Sequence, residues 1–158
     1  MKSCLYPNIT SVTFDPETAH PKLSLSSSCT TVWFDETKDT QECQENPLRF
    51  HYYYCLLGRQ GFTTGRHYWE VQVGGKTAWR LGVAREDVSR GEMKATGTSS
   101  GLWTLALKGE EVLACTDPEP TRVNVSLHLE RIGVFLDCEK EEVSFFNAVT
   151  MAPVYTFT

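Results

Sequence analysis

Between positions 67 and 73 the residues alternate in type, with His67, Trp69, Val71 and Val73 on one side and Tyr68, Glu70 and Gln72 on the other. Period-two alternation rich in aromatic and β-branched side chains predicts a strand with one buried face. Trp69 and Val71 give that face its apolar surface, each large side chain worth about 1.5–3 kcal/mol when fully buried. Gly74-Gly75 follows at once, and residues 78–84 read as the returning strand of a hairpin. On this reading 67–73 is a central strand of the core.

Comparable short apolar runs cover 9–14, 22–26, 31–34, 53–57, 79–84, 102–107, 111–115, 131–137, 143–147 and 154–157. Asp15-Pro16, Asn46-Pro47, Gly58, Gly61, Gly109 and the segments 97–101 and 117–120 break the chain between them. No window holds a helical apolar period beyond about two turns. The pattern predicts an all-β antiparallel sandwich. One short helical turn is expected at 15–18, with Asp15 as N-cap and Pro16 at the first helical position. Hairpins are expected across 138–142 and across 108–110. The longest irregular stretches are 35–49, 85–101 and 116–127, and loops on a rigid sandwich are where recognition concentrates.

Composition narrows the class. The chain has 158 residues, the size of one domain, and four Trp, six Tyr and eight Phe are enough for a substantial core. The net charge of -5 and the lack of an extended basic run give no nucleic-acid footprint. No apolar run approaches the roughly 20 residues of a membrane-spanning helix, and the first residues lack the apolar centre of a signal peptide. Of the six cysteines, Cys55 and Cys138 lie in apolar runs and read as small buried hydrophobes. Their spacing favours a reducing compartment. Two glycosylation sequons, Asn8-Ile9-Thr10 and Asn124-Val125-Ser126, point the other way.

The candidate chemistry is sparse. Gly97-Thr98-Ser99-Ser100-Gly101 matches a hydrolase elbow in letters, but that motif needs a strand before the serine and a helix after it. Here a strand follows, so the segment reads as a flexible loop. Gly74-Gly75-Lys76-Thr77 resembles the end of a P-loop, yet Glu70 stands where the first glycine belongs. It reads as a hairpin turn. Cys55 with His51 or His67 sits in an apolar run rather than the electropositive setting of a reactive thiol. His51 and Cys55 lack a second ligand pair for a metal. Asp117, Glu119, Glu139, Glu141 and Glu142 fall in polar turns without neighbours that would separate their pKa values. No cofactor, metal or catalytic residue is expected. What remains is an aromatic and basic cluster: His51-Tyr52-Tyr53-Tyr54, then Trp79-Arg80 and Arg85. Tyrosine and arginine are favoured hot spots of protein interfaces.

Several motifs occur together in a fixed order. Residues 12–23, from Val12-Thr13-Phe14-Asp15-Pro16-Glu17 onward, resemble the opening of a PRY segment. Asn46-Pro47-Leu48-Arg49-Phe50, Leu57-Gly58 and Gly65-Arg66-His67-Tyr68-Trp69-Glu70-Val71 resemble its join to a SPRY domain. Trp79-Arg80-Leu81-Gly82-Val83-Ala84, Gly101-Leu102-Trp103-Thr104, Gly133-Val134-Phe135-Leu136-Asp137-Cys138-Glu139 and Val143-Ser144-Phe145-Phe146-Asn147 continue the likeness. Over nearly its whole length the chain resembles the PRY-SPRY domain of tripartite-motif and related RING-type ubiquitin ligases, and of butyrophilins.

The resemblance implies a single PRY-SPRY domain over 1–158, with PRY about 9–60 and SPRY about 61–158. It implies a bent antiparallel β-sandwich with a short N-terminal PRY segment, and final strands of the family lying beyond residue 158. It also implies a non-catalytic module that selects a protein or peptide target for a cytoplasmic RING-type E3 ligase, a class often active in innate immunity. The RING and the regions that oligomerise would lie outside this chain, and neither nucleic-acid contact nor membrane insertion is expected. The alternatives are the intracellular ligand-sensing domain of a butyrophilin-like receptor and a secreted SPRY protein. Family-matched positions place partner binding on Tyr52, Tyr53, Arg80, Arg85, Ala106 and Lys108, with loops 35–49 and 85–101 at the rim. On this basis the double substitution of Tyr53 and Arg80 by Ala is expected to weaken binding and spare thermal stability. The Fc-binding member of the family has tryptophans where Ala106 and Lys108 stand. Tyr53 and Arg80 fall at two histidine positions of the butyrophilin phosphoantigen pocket. Neither ligand is therefore expected.

Overall fold

The computed structural model describes residues 8–39, 45–125 and 128–158. Cys4, Cys43, Ser126 of the second sequon and part of loop 35–49 lie outside the described residues. The described chain forms two compact units. The larger comprises residues 8–11 with Phe62–Arg85 and Ala95–Thr158; the smaller comprises Val12–Gly61 and Glu86–Lys94.

The larger unit is built from two four-stranded antiparallel sheets. One contains β3 (Arg66–Gln72), β8 (Arg131–Asp137), β9 (Glu142–Asn147) and β10 (Pro153–Phe157), in the order β10-β9-β8-β3. The other contains β4 (Trp79–Ala84), β5 (Leu102–Lys108), β6 (Glu111–Ala114) and β7 (Thr121–Val123), in chain order. The smaller unit carries one hairpin, β1 (Leu23–Leu25) with β2 (Val32–Phe34). The all-β antiparallel expectation therefore holds.

The core of the larger unit lies on the facing sides of its two sheets. Leu105, Val112 and Ala114 from one meet Ile132, Val134, Val143, Phe145 and Phe157 from the other. The facing rows follow from register: Trp79 pairs with Leu107, Leu107 with Val112, and Val112 with Val123, all apolar. The hairpin expected across 138–142 joins β8 to β9, and its turn is set by Asp137. That carboxylate accepts the N–H groups of Glu139 (3.0 Å) and Lys140 (3.1 Å) and the Arg66 guanidinium (3.1 Å). The Lys140 N–H above all holds its pKa below the usual carboxylate range. The hairpin across 108–110 joins β5 to β6, with Gly109 at φ 64.

Four expectations need correction. First, 67–73 is neither central nor one arm of a hairpin. Among the described residues β3 lies at a sheet edge and pairs only with β8, while β4 belongs to the other sheet. Gly74-Gly75 is the turn that passes between sheets, with Gly75 at φ 78 and the Lys76 N–H donating to the Val73 carbonyl. Second, both faces of β3 are covered. Tyr68, assigned to the polar side, is only 2% exposed, whereas Trp69 and Val71 are half-buried. The Tyr68 hydroxyl donates to Glu70 Oε2 at 3.0 Å, and burial first, then that bond, pushes its pKa up to about 12. Gly133 leaves the room its ring occupies. The outer edge of β3 is met by Thr10, whose N–H donates to the Tyr68 carbonyl at 2.6 Å. Third, runs 9–14 and 53–57 form no strand, the former making one bridge from Phe14 to Gly58, and 15–18 is a turn rather than a helix. Asp15 Oδ1 accepts the Glu17 N–H at 3.0 Å, which is the capping chemistry without a helix to cap. Fourth, Cys55 and Cys138 are half-buried, and Cys115 is the buried cysteine among those described.

Candidate functional site

β-Strand pairing sets the composition of the outward face of the β4–β7 sheet. Residues directly opposite one another share a face. Arg80 pairs with Ala106, Ala106 with Leu113, and Leu113 with Arg122, so these four form one transverse row across all four strands. Lys108 and Glu111, paired with each other, stand two residues along on the same side. Arg80, Lys108, Glu111 and Arg122 are exposed and Leu113 is half-buried. Ala106 is 6% exposed, so it is a short floor between Arg80 and Leu113 rather than a contact that projects. Two positions back on β5, the Thr104 hydroxyl is buried and has no protein partner among the described residues.

The arginines are only partly committed. Arg80 donates one N–H to the Thr96 carbonyl at 3.2 Å, and Arg122 meets the Glu111 carboxylate at 2.5 Å. A guanidinium offers five donors in a planar fork, so both retain capacity. Arg85 lies directly after β4, exposed, with its N–H on the Gly101 carbonyl at 2.9 Å.

Loop 85–101 is tied down at its far end. Asp117 Oδ2 accepts both the N–H and the hydroxyl of Ser99, each at 2.7 Å, and the Ser99 N–H above all holds the Asp117 pKa below the usual range. The Ser100 hydroxyl donates to the Ala95 carbonyl. Residues 98–100 form one 3-10 turn followed by β5, so the G-x-S-x-G letters spell a clamp instead of an elbow. At the opposite end of the sandwich, Val73, Trp79, Leu107, Val112 and Leu129 line a cavity of about 220 Å³ with Lys76 and Glu130 at its polar part.

Tyr52 and Tyr53 belong to the smaller unit. Their rings meet edge to face with centroids 4.7 Å apart. Tyr52 is 53% exposed; the nearby Glu92 carboxylate raises its pKa. Tyr53 is half-buried, and its hydroxyl accepts the Met93 N–H at 3.1 Å while donating to the Met93 carbonyl at 3.3 Å. Tyr54, Phe34 and Trp33 are also exposed, with the Tyr54 ring 4.8 Å from Phe34 and 4.7 Å from His20. His20 Nδ1 accepts the Lys22 N–H at 3.0 Å. Arg90 covers the Phe50 ring at 5.0 Å and donates to the Leu48 and Glu86 carbonyls, joining 86–94 to the rest of this unit.

The family-matched residues thus fall into two groups: Arg80, Ala106 and Lys108 on one sheet face with Arg85 beside it, and Tyr52 and Tyr53 in the smaller unit. Leu113 was missed because nothing in the all-apolar centre of run 111–115 marks which side faces outward, and Arg122 because β7 sits in a stretch read as irregular. Its only signal was the three-residue alternation Thr121-Arg122-Val123, too short to stand out. No group of three or more potential metal ligands occurs among the described residues. No helix among them is long and apolar enough to cross a membrane.

The SPRY domain model matches residues 66–158, and the SPRY-associated (PRY) domain model matches residues 12–62. The chain belongs to the SPRY domain family. Mouse (Mus musculus) E3 ubiquitin-protein ligase TRIM69 is 41% identical over the whole chain, which spans 31% of that protein. Xenopus laevis nuclear factor 7, brain, is 38% identical over 99% of the chain and 26% of that protein. Human (Homo sapiens) butyrophilin subfamily 1 member A1 is 39% identical over 93% of the chain and 27% of that protein. The chain therefore spans about a quarter to a third of these relatives. Among solved structures, the TRIM65 PRY-SPRY domain superposes with a TM-score of 0.80 at 24% identity, over 99% of this chain and 86% of that one. This likeness confirms the fold. The SPRY domain is thus shared by ubiquitin ligases and butyrophilins, in keeping with a protein-interaction module.

Proposed function

We propose that this chain is a non-catalytic protein-recognition module, and that it selects the target of a cytoplasmic RING-type E3 ubiquitin ligase. The observation that carries the reading is the outward β4–β7 face. It sets exposed Arg80 and Lys108 on a rigid antiparallel sheet within a domain 41% identical to the corresponding part of a ubiquitin ligase. Arg85 flanks this face, Ala106 forms its floor, and Tyr52 supplies a separate contact on the smaller unit. Tyr53 serves mainly to hold Met93. The intracellular domain of a butyrophilin-like receptor is the second reading, favoured by the 39% identity to butyrophilin.

The test grafts residues 1–158 onto a RING and coiled-coil scaffold whose own recognition domain has been removed. In cells, the graft should move ubiquitin onto a reproducible set of proteins, and Arg80→Glu with Lys108→Glu should remove most of that set without lowering Tm by more than a few degrees. Ubiquitination patterns unchanged by the graft would reject the reading.

A further inference from the structure

We infer that the row Arg80–Ala106–Leu113–Arg122 reads an extended acidic segment of a protein partner, with two carboxylates four residues apart and an apolar side chain midway. The inference rests on the recognition reading above and names its ligand. Its basis is the strand register. Arg80 and Arg122 stand at opposite ends of one row, on the first and last strands of the sheet. Adjacent strands lie about 4.8 Å apart, so three steps separate the two arginine backbones by about 14 Å. An extended peptide advances about 3.4 Å per residue and crosses that span in about four residues. Between the arginines the row is low and apolar, with buried Ala106 beside half-buried Leu113. A central Leu, Ile or Val of the ligand would rest there.

Charge supports the same ligand. Arg80, Arg122 and Lys108 outnumber Glu111 on this face, although the whole chain carries a net charge of -5. A local cationic row on an acidic protein attracts a short acidic motif while the rest of the surface repels a long polyanion. The chain also shows the chemistry in miniature: the Glu111 carboxylate already sits 2.5 Å from Arg122. A ligand carboxylate would share or displace that partner and bind the remaining fork, a charge-assisted contact with directional preference.

The experiment uses fluorescein-labelled peptides and the 158-residue chain, read by fluorescence anisotropy at 50 and 150 mM salt. The probe has aspartates at the first and fifth positions of a five-residue core, leucine at the third and serines between. One control places the two aspartates side by side, a second replaces the leucine with serine, and a third ligand is a 20-nucleotide single-stranded DNA. The expected result is saturable binding of the probe, at least tenfold weaker for either peptide control and for the Arg80→Ala, Arg122→Ala double variant. The Arg80→Glu, Arg122→Glu variant should instead prefer a probe with lysines in place of the aspartates. Equal binding of the side-by-side control, binding unaffected by the double variant, no peptide binding, or tighter binding of the DNA would each overturn the inference. If the grafted ligase still marks its targets when Arg80 and Arg122 are both alanine, the recognition reading stands and this ligand assignment alone fails.

Discussion

The Tyr53 hydroxyl closes a two-way hydrogen bond with the backbone of Met93, accepting its N–H at 3.1 Å and donating to its carbonyl at 3.3 Å. A side chain expected to face a partner is thereby engaged in holding 86–94 against the aromatic run. Tyr53→Phe leaves the ring in place but strips Met93 of both partners. Each hydrogen bond of this kind contributes about 0.5–1.5 kcal/mol, so a loss of about 1–3 kcal/mol is expected in urea denaturation. Tyr52→Phe, at an exposed position, should stay within about 0.5 kcal/mol of the parent. Equal effects at the two positions would contradict the assignment. The same bonds argue that an alanine at Tyr53 lowers stability as well as any binding, contrary to the expectation from sequence.

His20 makes the smaller unit acid-sensitive. Burial is the main cause of its lowered pKa, followed by the neighbouring positive charges of His51 and Lys22. Its Nδ1 must also stay unprotonated to accept the Lys22 N–H. The folded state thus binds its proton less readily than the unfolded chain, whose histidines titrate near ~6.5. This stabilisation is complete above that pH and is lost as pH falls through the depressed folded value. His20→Asn keeps an acceptor and removes the titration. Melting curves from pH 8 to pH 5 should show the parent losing Tm more steeply than the variant, and parallel curves would rule the switch out.

Tyr68, rather than Trp69, anchors β3. Truncating a fully buried aromatic side chain typically costs about 3–5 kcal/mol, and Tyr68 at 2% exposure meets that condition where half-buried Trp69 does not. Tyr68→Ala should therefore destabilise more than Trp69→Ala in chemical denaturation. A second signature lies at high pH. A phenol raised to about 12 favours the folded state below the unfolded value of ~10, and that contribution disappears as pH climbs through the folded value. Tyr68→Phe should flatten this alkaline loss, and a curve that keeps the parent's slope would reject it.

The sequence was most legible where short apolar runs and turn chemistry agreed. The runs that became β5, β6, β8 and β9 are compact apolar stretches that meet at polar turns, so both hairpins were readable. The β3–β4 connection misled because a glycine pair between two strands is the local signal of a hairpin. Whether the chain returns alongside or crosses to another sheet depends on distant partners, here β8 and β5. The side of β3 that carries Tyr68 was misassigned for a related reason: alternation identifies two faces, but a tyrosine whose hydroxyl finds Glu70 can be buried as deeply as any hydrocarbon. Of the residues proposed to meet a partner, Arg80 and Lys108 emerged on one face, whereas Arg122 needed β7 to be seen as a strand. Ala106 was legible only as a position.

The long-range pairing of β3 sets a clock during synthesis. Arg66 and its partner Asp137 are 71 residues apart, and no strand nearer in the chain pairs with β3 among the described residues. At about 5–20 residues per second the ribosome needs about 4–14 s to make the intervening segment. For most of that interval the strand bearing Tyr68 and Trp69 is complete but has no finished β8 to join. An unpaired apolar strand is an aggregation hazard, so the nascent domain needs shielding over this window.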